Sequence, residues 1–261
     1  MKKKLKQIVS LLIVASVGLY ASKSRTLEYV LISDKEKIGE ITQAYVMQNK
    51  NLFIITHSKL KWSGGKDVLD IEESSIEKYK GLKTLIFSES YAMDYDEKVL
   101  YKTTFNEKDG AYVVVISGKE EMNTSAIALF EQYKQNLNPK NKPQIPLAIE
   151  EISNTKVELN AFDTTENIFA FYLRNYDSKK NISTLSFDEL TIDEIKVSDL
   201  GMVELSIDDK VLLTQNYKLQ IKDKKPTYLW IAEAKSAFPY VVRVKGSDES
   251  GEFELILKSI K

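Results

Sequence analysis

The sequence predicts a mainly β protein, built as a long curved antiparallel sheet or an open barrel with one or two helices. Three observations predict this class: strands of alternating polarity, short polar turns between them, and only two stretches with helical character. Asn51 to Trp62 is the clearest strand, with Leu52, Ile54 and Leu60 on one face and His57 on the other. Strands of about ten residues are roughly 33 Å long, so a meander of them must curl or close to protect its edges.

The predicted strands fall into two groups. The first group lies near residues 27–33, 36–47, 51–62, 69–79, 84–93, 97–106 and 111–118. The second group lies near residues 182–188, 190–198, 202–208, 211–221, 226–232, 239–246 and 251–258. Turn-like residues such as Asp34-Lys35 and Gly81 separate the first strands, which indicates an antiparallel meander. Pro226 and Pro239 stand at strand starts, where a missing N–H donor costs least.

The first predicted helix spans residues 120–137. Met122, Ala126, Leu129 and Tyr133 recur there at helical spacing and form a broad apolar stripe. This pattern interrupts the alternation of the strands and therefore favours a helix.

The second predicted helix begins at Asp163-Thr164-Thr165-Glu166, which has the spacing of a capping box. Arg174 ends its apolar run, where a positive charge suits the helix dipole. We therefore expect Asp163 and Arg174 to have helix-capping, structural roles. The alternative is an ion pair between Asp163 and Arg174 that fixes the helix over a ligand cavity.

A connection at residues 138–147 is the only candidate domain boundary. It contains Pro139, Pro143 and Pro146 with lysines between them, which favours an extended surface segment. We expect residues 22–261 to form a single β-rich domain that this connection crosses.

Residues 1–21 are typical of a signal peptide. Four lysines lie in the first six residues, an apolar run follows, and Ala21 precedes the polar Ser22. The apolar run is shorter than the roughly 20 residues of a membrane-spanning helix. We expect cleavage before Ser22, and a mature protein in the periplasm without a stable membrane span. The chain has no cysteine, which excludes a lipid-anchored form and disulfides.

Charge and motifs exclude several classes of function. Removing the signal lowers the net charge from −1 to −5, so nucleic acid is not an expected partner. We predict no catalytic residue, no cofactor and no metal site. His57 is the only histidine and lies in no triad or ligand motif, so we interpret it as an exposed or half-exposed structural residue. Acidic groups such as Asp94 and Asp96 lack the ladder of a calcium loop, and Glu77 is assigned no role.

Several segments resemble a known family. They are Lys37-Ile38-Gly39-Glu40-Ile41, the helix from Phe162 to Arg174, Tyr228-Leu229-Trp230-Ile231-Ala232, and Phe238-Pro239-Tyr240-Val241-Val242-Arg243. Together they resemble exported bacterial proteins grouped as domain-of-unknown-function family 3108, over roughly residues 27–257. The resemblance implies a β-rich periplasmic domain similar in shape to lipoprotein-carrier folds, in which a curved sheet holds an apolar cavity and a helix covers the opening.

Three hypotheses for the function follow. The first is a periplasmic non-enzymatic binding protein or carrier for a lipid or other apolar ligand, with Trp62, Tyr101, Phe105 and Trp230 lining its site. Core packing is the alternative use of the two tryptophans. The second hypothesis is an envelope interaction or assembly factor that binds another protein, and an enzyme is the third. An apolar cavity favours the first, a filled core with an exposed apolar patch the second, and convergent buried carboxylates with raised pKa values the third.

Overall fold

The computed structural model of the protein describes most of the chain after the predicted signal peptide. The described residues are 24–48, 50–64, 67–82, 84–108, 111–137, 154–159, 162–174, 176, 180–186, 191–207, 210–236, 238–248 and 251–261. The predicted signal peptide at 1–21 and the predicted connection at 138–147 lie outside these residues.

Fifteen strands within the described residues form one sheet. The first arm of the sheet consists of β1 (Ser24–Ser33), β2 (Glu36–Gln48), β3 (Asn51–Gly64), β4 (Asp67–Lys80), β5 (Thr84–Asp94), β6 (Val99–Lys108), β7 (Ala111–Glu121) and β8 (Asn154–Leu159). The second arm consists of β9 (Thr164–Thr165), β10 (Ile182–Ser186), β11 (Thr191–Ile207), β12 (Lys210–Ile221), β13 (Thr227–Ala232), β14 (Tyr240–Asp248) and β15 (Gly251–Ile260). The helices are α1 (Thr124–Asn136), a 3₁₀ turn (Glu166–Ile168) and α2 (Phe169–Leu173). The prediction of a mainly β protein with a large, open, curved sheet is confirmed.

The first and the last described strands, β1 and β15, pair with each other in the centre of the sheet. From one edge to the other the order is β8-β7-β6-β5-β4-β3-β2-β1-β15-β14-β13-β12-β11-β10-β9. Neighbouring strands are antiparallel except β9 and β10, which pair in parallel. The two-residue turn between β1 and β2 has φ of 47° at Asp34 and 71° at Lys35, as a tight hairpin with right-handed strand twist requires.

Both arms bury side chains in one inner core. The first arm supplies Leu27, Leu31, Ile54, Ile71 and Phe105, and the second supplies Leu185, Ile195, Leu229, Val244 and Leu255. The 3₁₀ turn and α2 add Ile168, Phe169, Phe171 and Leu173, all buried, to the same core. We call the sheet face that contacts this core the inner face. The short helical segment therefore lies inside the curve of the sheet and fills it.

Helix α1 covers the outer face of the first arm. Asn123 caps it, since its side-chain oxygen accepts hydrogen bonds from the amides of Ser125 and Ala126, both at 2.9 Å. A second apolar cluster joins the sheet to the helix through Ala44, Val46, Phe53, Ile55, Ile76, Tyr91, Met93, Leu100, Ala126, Phe130, Tyr133 and Leu137. Because part of the first arm is buried on both faces, β3 starts with four consecutive apolar residues rather than with alternation.

Some predicted elements differ from the structure. The capping box is not formed, because Thr164 and Thr165 are buried in β9 and no side chain caps the 3₁₀ turn after them. The two strands predicted near 190–198 and 202–208 are one 17-residue strand, β11, with an irregularity between Asp199 and Gly201. Strand β8 has no counterpart among the predicted strands.

None of the helices in the described part of the chain combines the length and the apolarity that crossing a bilayer requires.

The packing of α1 gives a stability prediction. Phe130 is 1% exposed, and Ile127, about one turn before it in the same helix, is 44% exposed. We expect Phe130→Ala to lower the free energy of unfolding by about 3–5 kcal/mol, because it leaves a cavity in the outer cluster. Ile127→Ala should change it by less than about 0.5 kcal/mol. Urea denaturation of both variants checks this, and equally small effects would show that α1 does not pack on the sheet.

Candidate functional site

Seven buried polar side chains meet on the inner face, where the sheet contacts the 3₁₀ turn. This inner polar cluster consists of Gln43, Tyr45, Thr56, Glu77, Tyr79, Thr165 and Asn167. Five of its members come from β2, β3 and β4, and two come from β9 and the 3₁₀ turn. The cluster therefore joins the two arms of the sheet.

Glu77 is the centre of the inner polar cluster. Its two carboxyl oxygens accept hydrogen bonds from the hydroxyl of Tyr79 and from the amide nitrogen of Asn167. The Tyr79 hydroxyl also lies 2.7 Å from the hydroxyl of Thr165. These contacts hold β9 and the 3₁₀ turn against β4.

Gln43 extends the cluster toward β2 and β3. Its side-chain nitrogen donates to the Thr56 hydroxyl at 3.4 Å and to the Asn167 side-chain oxygen at 3.5 Å. Its oxygen accepts a hydrogen bond from the Tyr45 hydroxyl. Polar groups at this depth are tolerated because they satisfy one another.

Burial raises the pKa of Glu77 to about 7, although the hydrogen bonds from Tyr79 and Asn167 act to lower it. No cationic side chain in the described part of the chain forms an ion pair with this carboxyl. Burial without a counter-charge favours the protonated form, so Glu77 carries its proton up to near-neutral pH.

The interior of the sheet is filled rather than open at this point. A cavity of about 20 Å³ lies among Phe169, Thr184, Ile195, Leu229 and neighbouring side chains. That volume is sufficient for about one water molecule and not for an acyl chain. The expected large apolar cavity is therefore not found at this position, because α2 and the 3₁₀ turn occupy the space.

A larger cleft opens to solvent beside this filled interior. Its volume is about 810 Å³, and it is lined by Lys80, Gly81, Leu82, Thr84, Asp163, Phe171, Tyr172, Arg174, Tyr176 and Lys180. We call it the α2 cleft. The β4–β5 turn forms one side, where Gly81 has φ of 64°, a left-handed conformation that glycine adopts at no steric cost.

The floor of the α2 cleft is apolar and its rim is charged. Leu82, Tyr172 and Tyr176 are half-buried and pack against the inner core, while Phe171 is fully part of it. Around them lie the exposed side chains of Lys80, Arg174 and Lys180, and of Asp163. The arrangement offers an apolar surface together with charged groups at its edge.

Asp163 has a structural role other than the predicted helix cap. The Asp163 carboxylate accepts hydrogen bonds from the amide of Ser183 at 3.0 Å and from its hydroxyl at 2.9 Å. It also shares a hydrogen bond with Tyr172, whose pKa is raised by burial and by this carboxylate. Arg174 follows α2 directly, as predicted, and donates to the backbone carbonyl of Ser236 at 3.3 Å. Asp163 thus ties α2 to β10 instead of capping a helix, and it forms no ion pair with Arg174 in the described structure.

The four predicted ligand residues lie away from the α2 cleft. Phe105 is buried in the inner core, 6.3 Å from the ring of Phe162, and Trp62 packs at the edge of that core. Tyr101 is half-buried and donates to Glu97. None of the four is among the residues that line the cleft.

The expectation that Trp230 lines the interior is wrong. On β13 the residues before and after it, Leu229 and Ile231, are in the inner core, so Trp230 lies on the outer face. There the guanidinium of Arg243 lies 5.3 Å from its ring, a cation–π contact. Both faces of β13 carry apolar side chains, which is why alternation alone did not identify the inner one.

His57 is half-exposed, as predicted, but α1 covers the strand face that the pattern of polar residues suggests to be open, and its structural role stays a prediction. It lies half-buried on the face of β3 that α1 covers, with its Nδ1 atom 2.9 Å from the Ser74 hydroxyl. Burial and the nearby Lys134 lower the pKa of His57. Among the residues that the structure describes, no group of three or more histidine or acidic side chains is arranged to hold a metal ion.

The α2 cleft was missed at the sequence level because its two sides are about ninety residues apart. Tyr172 and Tyr176 are four residues apart, the spacing of neighbours on one helical face, but α2 ends at Leu173, so this spacing does not indicate the cleft. On the other side, Gly81 indicates only a turn.

Comparisons with known proteins do not add an identification. No protein-family model matches this chain, and no curated protein matches it. The resemblance to domain-of-unknown-function family 3108 therefore stays a prediction. The function has to be inferred from the geometry of the site.

The buried carboxyl predicts a pH-dependent stability. The pKa of Glu77 is about 7 in the folded protein against an ordinary value of 4.5. Between these pH values the Glu77 carboxyl holds a proton in the native state that it releases in the unfolded state. The contribution of this group to the free energy of unfolding is therefore greatest below pH 4.5 and is lost as the pH rises through 7. We expect this single group to contribute a loss on the order of 3 kcal/mol by pH 8.

The measurement compares wild type with Glu77→Gln by denaturant unfolding from pH 4.5 to 8. As the pH rises, the free energy of unfolding of wild type should fall steadily relative to that of Glu77→Gln. The comparison cancels the contributions of other groups, such as His57, whose lowered pKa makes stability rise with pH. Glu204→Gln, at an exposed position, is the control and should follow wild type. A difference that is independent of pH would contradict the assignment.

Proposed function

We propose that this protein is an exported, periplasmic, non-enzymatic binding protein or carrier that holds a lipid or other apolar ligand in the α2 cleft. The cleft itself is the observation that supports the proposal. Its volume of about 810 Å³ falls within the roughly 300–1,000 Å³ typical of small-molecule sites. Its apolar floor beside charged groups is the usual composition of such sites.

The floor of the cleft is suited to hold an apolar chain. Leu82, Tyr172 and Tyr176 are anchored against the inner core and still reach the cleft surface. Covering such surface contributes about 25 cal/mol per Å², so a long chain gains several kcal/mol before ordering costs. An open cleft also permits release, which a carrier requires.

The carboxyl groups support binding rather than catalysis. Both oxygens of Glu77 are engaged in hydrogen bonds, and the residue is 2% exposed and is not part of the cleft lining. Asp163 is in the cleft lining, but its carboxylate is held by Ser183 and Tyr172. Glu77 is closed off from the cleft, and Asp163 is the only acidic residue among the described residues of the lining, so this part of the cleft has no pair of carboxyl groups for general acid–base catalysis.

The proposal predicts a co-purified ligand. Native mass spectrometry of the protein isolated from the periplasm should show an added mass that organic extraction removes. Tyr172→Ala should reduce the occupied fraction several-fold, because it removes part of the floor. Tyr228→Ala and Trp230→Ala, on the outer face, should leave it unchanged. A ligand-free mass in wild type, with no binding of added amphiphiles, would reject the carrier proposal.

A second candidate function is supported by the far end of the β11–β12 hairpin. Leu200, Met202, Val203, Val211 and Leu213 are large, exposed apolar residues there. Strand β13 pairs with β12 only at residues 214–219, so no described strand pairs with residues 210–213 on that side. An exposed apolar edge of this kind fits a partner protein that adds a strand, as in an envelope interaction or assembly factor.

The second candidate predicts a contact at Val211 in living cells. A photo-reactive amino acid placed at Val211 should give a discrete adduct of higher mass on irradiation. The same group at Lys222, exposed on the neighbouring turn, should not. Leu213→Lys should abolish the Val211 adduct without changing the thermal midpoint. If positions 211 and 222 behave alike, the hairpin is not an interaction site.

A further inference from the structure

Three cationic side chains converge on the rim of the α2 cleft from separate parts of the chain. Lys80 ends β4, Arg174 follows α2, and Lys180 lies just before β10. All three are exposed. Their meeting point is set by the fold, because about ninety residues separate Lys80 from the other two.

Within the described residues, these cations have no carboxylate partner of their own. None of them forms an ion pair with a residue in the described ranges, although lysines elsewhere do, such as Lys61 with Asp70 at 2.8 Å. Among the described residues that line the cleft, Asp163 is the only acidic one, and its carboxylate accepts hydrogen bonds from Ser183 and Tyr172. This described part of the lining therefore presents three positive charges against one negative charge, on a chain whose formal net charge is −1.

Arg174 is held in place while most of its donors stay available. One of its terminal nitrogens donates to the Ser236 carbonyl at 3.3 Å. A guanidinium has five N–H donors in a planar fork, so the remaining donors can bind the paired oxygens of a carboxylate or phosphate. Lys80 and Lys180 add positive charge with less directional preference.

We propose that the ligand of the α2 cleft is an anionic amphiphile: an apolar chain on the floor and an oxyanion head, a carboxylate or a phosphate monoester, held by Lys80, Arg174 and Lys180. This inference rests on the proposed binding function and specifies its ligand class. The floor accounts for the apolar part and the rim for the head. An uncharged lipid would cover the apolar floor but would leave the three cations on the rim without a negatively charged partner.

The test compares ligands that differ only in the head. Delipidated wild-type protein is titrated by calorimetry with dodecanoate and dodecyl phosphate below their critical micelle concentrations and with dodecanol below its solubility limit. We expect both anions to bind about tenfold more tightly than the alcohol, since each exposed charge pair contributes little but three act together. The preference should decrease as salt increases from low to high ionic strength. The ratio between the two anions separates a carboxylate head from a phosphate head.

The variants assign the preference to the three cations. Lys80→Met/Arg174→Met/Lys180→Met should still bind dodecanol and should lose the preference for the anions. The matched control, Lys196→Met/Lys210→Met/Lys222→Met, removes three exposed lysines away from the cleft and should keep the preference. If the triple cleft variant keeps the preference, the assignment to these cations is wrong.

The outcomes separate the two proposals. Equal affinity of wild type for dodecanoate, dodecyl phosphate and dodecanol would overturn the anionic head and leave the binding function standing. No binding of any of the three would reject the binding function as well. The comparison within wild type decides the question of the head even if the triple variant does not fold.

Discussion

The hydrogen bond from the side-chain nitrogen of Asn167 to the Glu77 carboxyl holds a short segment inside a curved sheet, and the remaining inner face is arranged around that segment. Residues 164–173 bring two threonines, an asparagine and several large apolar side chains into the space between the arms. The apolar members complete the inner core, and Asn167 and Thr165 satisfy polar groups of β4. A helix of five residues is not stable alone, so tertiary contacts must supply its position. The segment therefore fills the interior of the sheet, and the α2 cleft lies beside it.

The buried carboxyl groups on the two faces of the first arm have different partners. Under α1, Glu89 is buried together with Lys102, whose ammonium lies 3.2 Å from its carboxylate, and the Lys102 side chain also lies over the ring of Tyr91. Burial still raises the pKa of Glu89, but Lys102 acts against that shift. On the inner face Glu77 has neutral partners only, and its pKa is raised to about 7. A cationic partner therefore opposes the protonation of Glu89, whereas only neutral hydrogen-bond donors oppose that of Glu77.

Most of the fold was predictable from the sequence, because long strands with alternating residues and two-residue turns carry strong local signals. The pattern failed where pairing with distant residues decided the outcome. Thr164-Thr165-Glu166 has the spacing of a helix start, yet Thr164 and Thr165 pair with Thr184 and Leu185 of β10 and become a strand. Trp230 is expected in the interior, but β13 has apolar residues on both faces, so the alternation of polarity does not show which face points inward. The cleft was not predictable from local patterns. The β4–β5 turn lies next to α2 only because of the order of the strands in the sheet.

Neighbouring residues in α2 and directly after it divide between the inner core and the lining of the α2 cleft. Phe169, Phe171 and Leu173 are buried in the inner core, whereas Tyr172 and Arg174 reach the cleft lining. Phe171 belongs to both surfaces, because it is a core residue that also forms part of the cleft floor. A ligand that covers this floor therefore contacts a surface that exists only when the segment is in place. Because such a ligand binds the native state and not the unfolded chain, its binding free energy stabilises the segment as well as the complex.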